Sequence, residues 1–217
     1  MNNIKHIIFD VDGTMLDTSE GMISSVKYMI NEMGYVMPDE MTLESFVGPR
    51  IQDSLVRVFG IEGEELNKAA SVFRNRYKEG DVLLASPYDG LEDVLRHLKE
   101  KEYTLTIATN KRQDFVDALL DKFDLSKYFT KVYGTDMQGK YTKTDLIMKC
   151  LEFCDDINNN ETVLIGDSRY DAIAAKEAGI LFLGCLYGYD FKTIESIEQY
   201  NPIAVIDDIT ELISILC

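Results

Sequence analysis

The stretch that decides the fold reads Phe9-Asp10-Val11-Asp12-Gly13-Thr14-Met15-Leu16-Asp17. An apolar run over residues 6–9 predicts a short strand before it, and Gly13-Thr14 predicts a turn whose backbone N–H groups can face an anion. Two carboxylates, Asp10 and Asp12, therefore lie where an apolar strand breaks into a turn. Because like charges this close repel, we expect a divalent cation, a shared proton or both to offset them.

The composition is that of an ordinary globular protein with one full core and a smaller accessory unit. The chain has 217 residues, of which 46% are hydrophobic, and a net charge of -16. This charge argues against nucleic acid, because a nucleic-acid binder needs a basic groove, and against acidic membrane surfaces. The amino-terminal residues reach Asp10 too soon for a signal peptide, and no apolar stretch is long enough to cross a bilayer. We therefore expect a cytoplasmic protein.

The cysteine and histidine content excludes several kinds of site. The four cysteines lack the paired spacing of a zinc site, and nothing else indicates an oxidising compartment, so we expect free thiols at Cys150, Cys154, Cys185 and Cys217. Cys150 and Cys154 can share one face of a helix, where packing is their expected role. Only two histidines are present, which leaves little material for a histidine metal site or a Ser/His/Asp triad.

Residues 17–86 show helical periodicity. Apolar residues recur at helical spacing from Met22 to Met33, and Gly34 is typical of a helix end. We predict that residues 17–86 form a small all-helical cap domain inserted after the first strand. The core domain is then formed by residues 1–16 and 87–217.

Within the predicted core, continuous apolar strands alternate with helices. This alternation predicts an α/β fold with a doubly wound, Rossmann-like parallel sheet that is covered on both faces. Three of the predicted strands finish in Asp10, Thr109 and Asp167. Because ligands of such sheets bind beyond the carboxyl ends of the strands, we expect these residues to meet in one crevice.

Four motifs together resemble those of the haloacid dehalogenase-like hydrolases. The DxDGT pattern, with the Leu and Asp that follow it, is similar to the first motif of that family. The second and fourth motifs are matched by Thr109, after Thr-Ile-Ala, and by Gly166-Asp167 with a second acid at Asp171. The third motif, a lysine at the start of a helix, is matched by Lys143, although the commoner Lys-Pro pair is absent. Thr-Asn-Lys at residues 109–111 is more similar to the phosphoglycolate phosphatase branch than to the sugar phosphomutases.

The resemblance implies a Mg²⁺-dependent phosphatase of small phosphorylated metabolites. Asp10 would be the nucleophile that forms an aspartyl-phosphate, and Asp12 the general acid and base, with a backbone carbonyl that also binds the metal. Asp10, Asp12, Asp167 and Asp171 would form the metal site, since carboxylate oxygens and water suit Mg²⁺. The structural alternative for Asp167 is a helix cap.

The resemblance also implies which residues hold the phosphoryl group. Thr109 and Asn110 would bind its oxygens, and Lys143 would supply a compact cation, with Lys140 as the alternative. Lys111 would add charge near the leaving group, or it is simply an exposed lysine.

Arg50 resembles an arginine used by beta-phosphoglucomutases, and it is a candidate contact to a distal anion of the substrate. A surface arginine is the alternative.

We expect the cap to close over the site and exclude water. We expect the protein to be a monomer or a homodimer. Phosphoglycolate is the leading substrate, with pyrophosphate, nucleoside monophosphates and sugar phosphates open. A sugar phosphomutase and a non-catalytic metal-binding regulatory domain are the rival functions.

Overall fold

The computed structural model describes residues 3–216, and the chain divides into two compact units. The first unit contains the chain up to Asp17 and from Pro87 onward, and the second is Thr18–Ser86. Cys217 lies outside the described residues, whereas Cys150, Cys154 and Cys185 are free, buried thiols. Between residues 3 and 216, no helix is both long and apolar enough for a membrane span.

The strands lie mainly in the first unit. In chain order they are β1 (His6–Phe9), β2 (Leu16–Asp17), β3 (Ser86–Pro87), β4 (Thr104–Arg112), β5 (Lys131–Thr135), β6 (Thr162–Gly166), β7 (Leu181–Cys185) and β8 (Ala204–Ile206). Six of them form one parallel sheet in the order β5-β4-β1-β6-β7-β8.

The sheet order reverses at β1, which pairs with β4 on one side and with β6 on the other. At its carboxyl end Phe9 is in register with Ile107 of β4 and Ile165 of β6. All four residues of β1 are buried, as both faces of a covered parallel sheet require. The predicted doubly wound α/β class is therefore confirmed.

The helices are spread over both units. In chain order they are α1 (Ser19–Met33), α2 (Glu40–Glu44), α3 (Ile51–Phe59), α4 (Gly63–Glu79), α5 (Leu91–Glu100), α6 (Gln113–Lys122), α7 (Lys143–Phe153), α8 (Arg169–Ala178), α9 (Ile194–Ile197) and α10 (Glu211–Leu216). Short 3-10 turns lie at Asp81–Leu83, Ser126–Tyr128, Asn159–Glu161 and Glu198–Tyr200.

The regular secondary structure of the second unit is helical, except that its last residue, Ser86, belongs to β3. Gly34 ends α1 in the left-handed conformation at φ 71°, where a glycine costs least. An ion pair joins two parts of the unit: the buried Asp81 carboxylate accepts from Nε and Nη2 of the partly exposed Arg76 at 3.1 Å and from the Ser25 hydroxyl at 2.9 Å. The hydrogen bonds satisfy the buried charge, as burial of an acid requires.

One strand of the core runs further than the sequence indicates. β4 continues past Thr109 to Arg112, and its register with β5 shifts between these two residues. A bulge of this kind re-aims side chains, and here it falls at the edge where ligands of α/β sheets bind.

His6 is a buried histidine held between two neighbouring strands. Its Nε2 lies 2.8 Å from the Thr106 hydroxyl, and its Nδ1 lies 3.4 Å from the Thr162 hydroxyl. Burial lowers the pKa of His6 from 6.5 to about 4. The folded chain therefore keeps this ring neutral at pH values where the unfolded chain protonates it.

We expect this difference to cost stability as the pH falls. The unfolded state binds a proton near pH 6.5 and the folded state only near pH 4, so the free energy of unfolding drops by about 2 kcal/mol between pH 7 and pH 5. In His6→Gln this part of the pH dependence should be missing. Urea unfolding of both proteins at pH 7 and pH 5 measures the drop in the free energy of unfolding. A drop in the variant equal to that of the wild type would contradict the prediction.

Candidate functional site

The carboxyl ends of β1, β4 and β6 bring several of the predicted residues of the core together. Asp10 directly follows β1, Asp167 directly follows β6, and Thr109 lies at the bulge of β4. These three strands are neighbours, with β1 in the middle. The residues lie where the strand order reverses, which is the usual ligand-binding position of this architecture.

Three buried carboxylates form the centre of the site. Asp10, Asp167 and Asp171 each offer an oxygen, and these oxygens lie within 4.8 Å of one another. Their residues are only 8%, 2% and 1% exposed. Asp12 is outside this group, and its carboxylate instead accepts from Lys111 Nζ at 2.9 Å.

Asp171 is placed by the first turn of α8. Ser168 is the N-cap of that helix, and its hydroxyl and the Asp171 carboxylate form a reciprocal capping box. The alternative that Asp167 caps this helix is therefore wrong. One Asp171 oxygen serves the cap, while the other, Oδ1, is directed to Lys143.

Lys143 lies among the acids as the first residue of α7. Its Nζ is 2.5 Å from Asp10 Oδ1 and 2.7 Å from Asp171 Oδ1. Lys140, by contrast, is exposed in the preceding turn. Of the two lysines that the sequence leaves open, the structure brings Lys143 to the carboxylates.

The charges of the cluster do not balance. Burial raises the pKa of Asp10 to about 6 even though Lys143 lowers it, and burial raises the pKa of Asp167 well above its usual range, with Asp171 and Asp10 adding to the effect. Burial also opposes the charge on Lys143, but Asp10 and Asp171 outweigh it and raise the pKa of this lysine. Three carboxylates thus share one cation. A divalent ion that prefers oxygen ligands, such as Mg²⁺, fits this donor set.

The Thr-Asn-Lys segment at residues 109–111 lies beside the cluster on β4. The Thr109 hydroxyl is buried and accepts from the backbone N–H of Lys111 at 3.2 Å. Among residues 3–216, Asn110 Oδ1 is a buried side-chain oxygen with no hydrogen-bond partner. Lys111 is buried and ion-paired with Asp12, so the alternative of an exposed lysine is wrong.

A segment that the sequence analysis did not single out also reaches the site. Residues 187–191, Tyr-Gly-Tyr-Asp-Phe, follow β7, and the backbone N–H of Tyr189 donates to Asp167 Oδ2 at 2.6 Å. The Tyr187 hydroxyl donates to the Thr14 carbonyl at 2.8 Å. Ligands of parallel α/β sheets bind beyond the carboxyl ends of the strands. This rule applies to the end of β7 as it does to the ends of β1, β4 and β6, so it could have indicated this segment.

Arg50 belongs to the second unit, where it is the residue before α3. Its contact with a distal anion of the substrate stays a prediction.

Comparisons with known proteins agree with this geometry. A family model described as haloacid dehalogenase-like hydrolase matches residues 7–185. The chain is 26% identical to a 5'-nucleotidase of Pseudomonas aeruginosa, over 97% of this chain and 95% of that protein. It is 28% identical to a phosphoglycolate phosphatase of Vibrio parahaemolyticus, over 99% and 96%.

Solved structures resemble the whole chain. A haloacid dehalogenase-like family hydrolase from Streptococcus pneumoniae superposes with a TM-score of 0.91 at 25% identity, and the match covers 100% of both chains. The architecture is therefore shared over both units of the chain.

The dependence of the cluster on Lys143 can be measured. Lys143→Met would leave three buried carboxylates without their cation, and removal of one partner of a buried ion pair typically costs about 3–5 kcal/mol. We expect a loss of this size in denaturant unfolding at pH 7 with a chelator present, and a partial recovery with Mg²⁺, because a ligand of the folded state stabilises it.

The matched control is Lys140→Met, which removes an exposed lysine three residues away. It should change the unfolding free energy by less than about 0.5 kcal/mol, as is usual for surface changes. Equal effects of the two substitutions would contradict the assignment of Lys143 to the cluster.

Proposed function

Because the chain belongs to the haloacid dehalogenase-like hydrolases, we propose that it is a phosphatase that hydrolyses small phosphate monoesters through Asp10 with the help of Mg²⁺. One observation carries the proposal most strongly. At the reversal point of the sheet, Asp10 shares a buried cluster with Asp167, Asp171 and Lys143. The names of its relatives, a phosphoglycolate phosphatase and a 5'-nucleotidase, support phosphate esters as the substrate class.

The proposed metal is held by oxygen donors of the core unit. Carboxylate oxygens of Asp10, Asp167 and Asp171, with the backbone carbonyl of Asp12, would hold Mg²⁺. When bound, the ion would neutralise charge on the transferring phosphoryl group. The unbalanced charge of the three buried carboxylates supports this choice.

In the first proposed step Asp10 attacks phosphorus. A bond forms from a carboxylate oxygen to phosphorus, the bond to the leaving oxygen breaks, and Asp12 gives its proton to that oxygen. In the second step a water attacks the aspartyl-phosphate and Asp12 takes its proton. Phosphate then leaves and the Asp10 carboxylate is restored.

The neighbouring side chains support these steps. Lys143 keeps a positive charge within 2.5 Å of Asp10, where it can stabilise negative charge on the phosphoryl oxygens. Lys111 holds the Asp12 carboxylate in one orientation at 2.9 Å. Thr109 and Asn110 are proposed to bind the phosphoryl group, and the buried Asn110 Oδ1 has no hydrogen-bond partner among the described residues.

Substrate selection is proposed for the predicted cap domain, residues 17–86, and the chemistry for the predicted core domain, residues 1–16 and 87–217. Phosphoglycolate is the leading candidate, since Arg50 could pair with its carboxylate in a bidentate manner. A nucleoside 5'-monophosphate is the second candidate, and it is favoured by the relative from Pseudomonas aeruginosa.

The test of the proposed function is phosphate release from a panel of substrates. The panel contains phosphoglycolate, nucleoside 5'-monophosphates, pyrophosphate and hexose phosphates, each with Mg²⁺ and with a chelator. We expect release only with Mg²⁺, and we expect Asp10→Asn to lower kcat by roughly 10³-fold or more, as loss of a nucleophile does. The exposed Asp155 provides the control, because Asp155→Asn makes the same chemical change away from the site.

Two results would contradict the proposal. One is release that continues with the chelator, and the other is a folded Asp10→Asn variant as active as Asp155→Asn. Isomerisation of a hexose phosphate without net release would instead favour a phosphomutase.

The role of Arg50 is tested by a comparison of two substrates. Arg50→Ala should raise KM for phosphoglycolate by roughly tenfold, since a charged hydrogen bond contributes about 1.5 kcal/mol or more. It should leave KM nearly unchanged for p-nitrophenyl phosphate, which lacks a distal carboxylate. Steady-state kinetics with both substrates measures the difference, and an equal change in the two KM values would exclude a contact with the distal anion.

A further inference from the structure

The segment of residues 187–191 hydrogen-bonds to one member of the acid cluster, Asp167. The Tyr189 N–H donates to Asp167 Oδ2 at 2.6 Å, and the Phe191 N–H donates to the Asp167 carbonyl at 3.0 Å. The other carboxylate oxygen, Oδ1, accepts from the Thr14 hydroxyl at 3.3 Å. Both oxygens of this buried carboxylate therefore have a donor that fixes their direction.

Two glycines, which have no side chain, make room for the Asp167 side chain. A Cβ added at Gly188 would overlap the Asp167 side chain and the Gly13 carbonyl oxygen. A Cβ added at Gly13 would overlap Asp167 Oδ2. At Gly188 the requirement is for room and not for a left-handed backbone, because its φ lies outside the left-handed range. Two distant parts of the chain thus approach Asp167 so closely that no side chain fits.

The segment is itself anchored on either side of Gly188. Asp190 pairs in a bidentate manner with Arg169 of α8, at 2.7 and 2.6 Å, and also accepts from the Arg169 N–H at 2.9 Å. The Tyr189 hydroxyl donates to Asp17 at 2.7 Å, and Lys192 donates to the Gly188 carbonyl. The segment is therefore tied to the first turn of α8 and to the end of the 9–17 stretch.

We propose that residues 187–191 are a positioning element that fixes the Asp167 carboxylate in the orientation needed to bind the divalent cation. The inference rests on the proposed function, which makes Asp167 a metal ligand. Its physical basis is that a carboxylate with both oxygens directed by hydrogen bonds loses little rotational freedom when a cation binds. The segment is proposed to act through Asp167.

The first experiment breaks the Arg169–Asp190 ion pair from each side. Asp190→Asn removes a negative charge and Arg169→Gln removes a positive one, while both break the same bidentate ion pair and so weaken the same anchor. These side chains are 23% and 59% exposed, so we expect both variants to fold. Calorimetric titration of each protein with Mg²⁺, without substrate, gives the dissociation constant.

If the segment fixes the Asp167 carboxylate, both variants should bind Mg²⁺ severalfold more weakly than the wild type. An effect of charge alone predicts opposite changes, weaker binding for Asp190→Asn and tighter binding for Arg169→Gln, because only one of them removes a negative charge near the cation. Opposite changes, or no change in either variant, would overturn the inference.

The second experiment compares two glycine-to-alanine changes. Gly188→Ala should weaken Mg²⁺ binding by about 10- to 100-fold, which is typical when the partner of a metal ligand is disturbed. Gly184→Ala is the matched control, because its Cβ would overlap the Ile197 side chain and none of the carboxylates. It should lower the melting temperature but keep the Mg²⁺ affinity of the wild type. Wild-type affinity in folded Gly188→Ala would overturn the inference.

Failure of the inference differs from failure of the proposed function. If the wild type itself binds no Mg²⁺, the metal site is wrong and the inference falls with it. If the wild type binds Mg²⁺ and releases phosphate while all three variants, Gly188→Ala, Asp190→Asn and Arg169→Gln, bind Mg²⁺ as tightly as the wild type, only the positioning role is wrong.

Discussion

The contact of the Lys143 ammonium with Asp10 and Asp171 is the interaction on which the site depends. Buried carboxylates repel each other and lose hydration, so they stay together only when a cation and hydrogen bonds offset that cost. Lys143 supplies that cation from the first residue of α7, at 2.5 and 2.7 Å from the two acids. One lysine does not balance three acids, and this remaining charge gives the cluster its proposed affinity for Mg²⁺.

The parallel sheet explains why residues so far apart in sequence meet. β1 is the central strand at the reversal of strand order, and its neighbours β4 and β6 end at the same edge. Every strand end at that edge can contribute a side chain, and the 187–191 segment shows that the end of β7 contributes backbone donors. The same edge thus supplies the proposed nucleophile, the proposed metal ligands and the groups that hydrogen-bond to them.

Much of the fold was predictable from sequence because buried parallel strands and amphipathic helices have different apolar periods. The alternation of strands and helices indicates the sheet, and the DxDGT stretch indicates where its site begins. The preference for Lys143 over Lys140 comes from the family resemblance and not from spacing. Spacing does not report the direction of the turn before α7, on which the position of each lysine depends. Burial of Lys111 is a similar case, because its ion pair with Asp12 joins two strand ends.

Two other features lay beyond local sequence signals. The capping box of Ser168 and Asp171 has a clear pattern, yet sequence alone could not assign the second oxygen of Asp171 to Lys143. The space for Asp167 depends on Gly13 and Gly188, and no local pattern relates glycines so far apart. The role of Arg50 depends on a substrate and stays a prediction.

The most direct test of the central claim is to trap the proposed covalent intermediate on Asp10. The enzyme is mixed with its best substrate and Mg²⁺, quenched in acid within one turnover, and treated with borohydride, which reduces an acyl phosphate to an alcohol. Peptide mass spectrometry should then find homoserine in place of Asp10 and an unchanged Asp12. Phosphate release with Asp10 unmodified at every quench time would contradict nucleophilic catalysis by this residue.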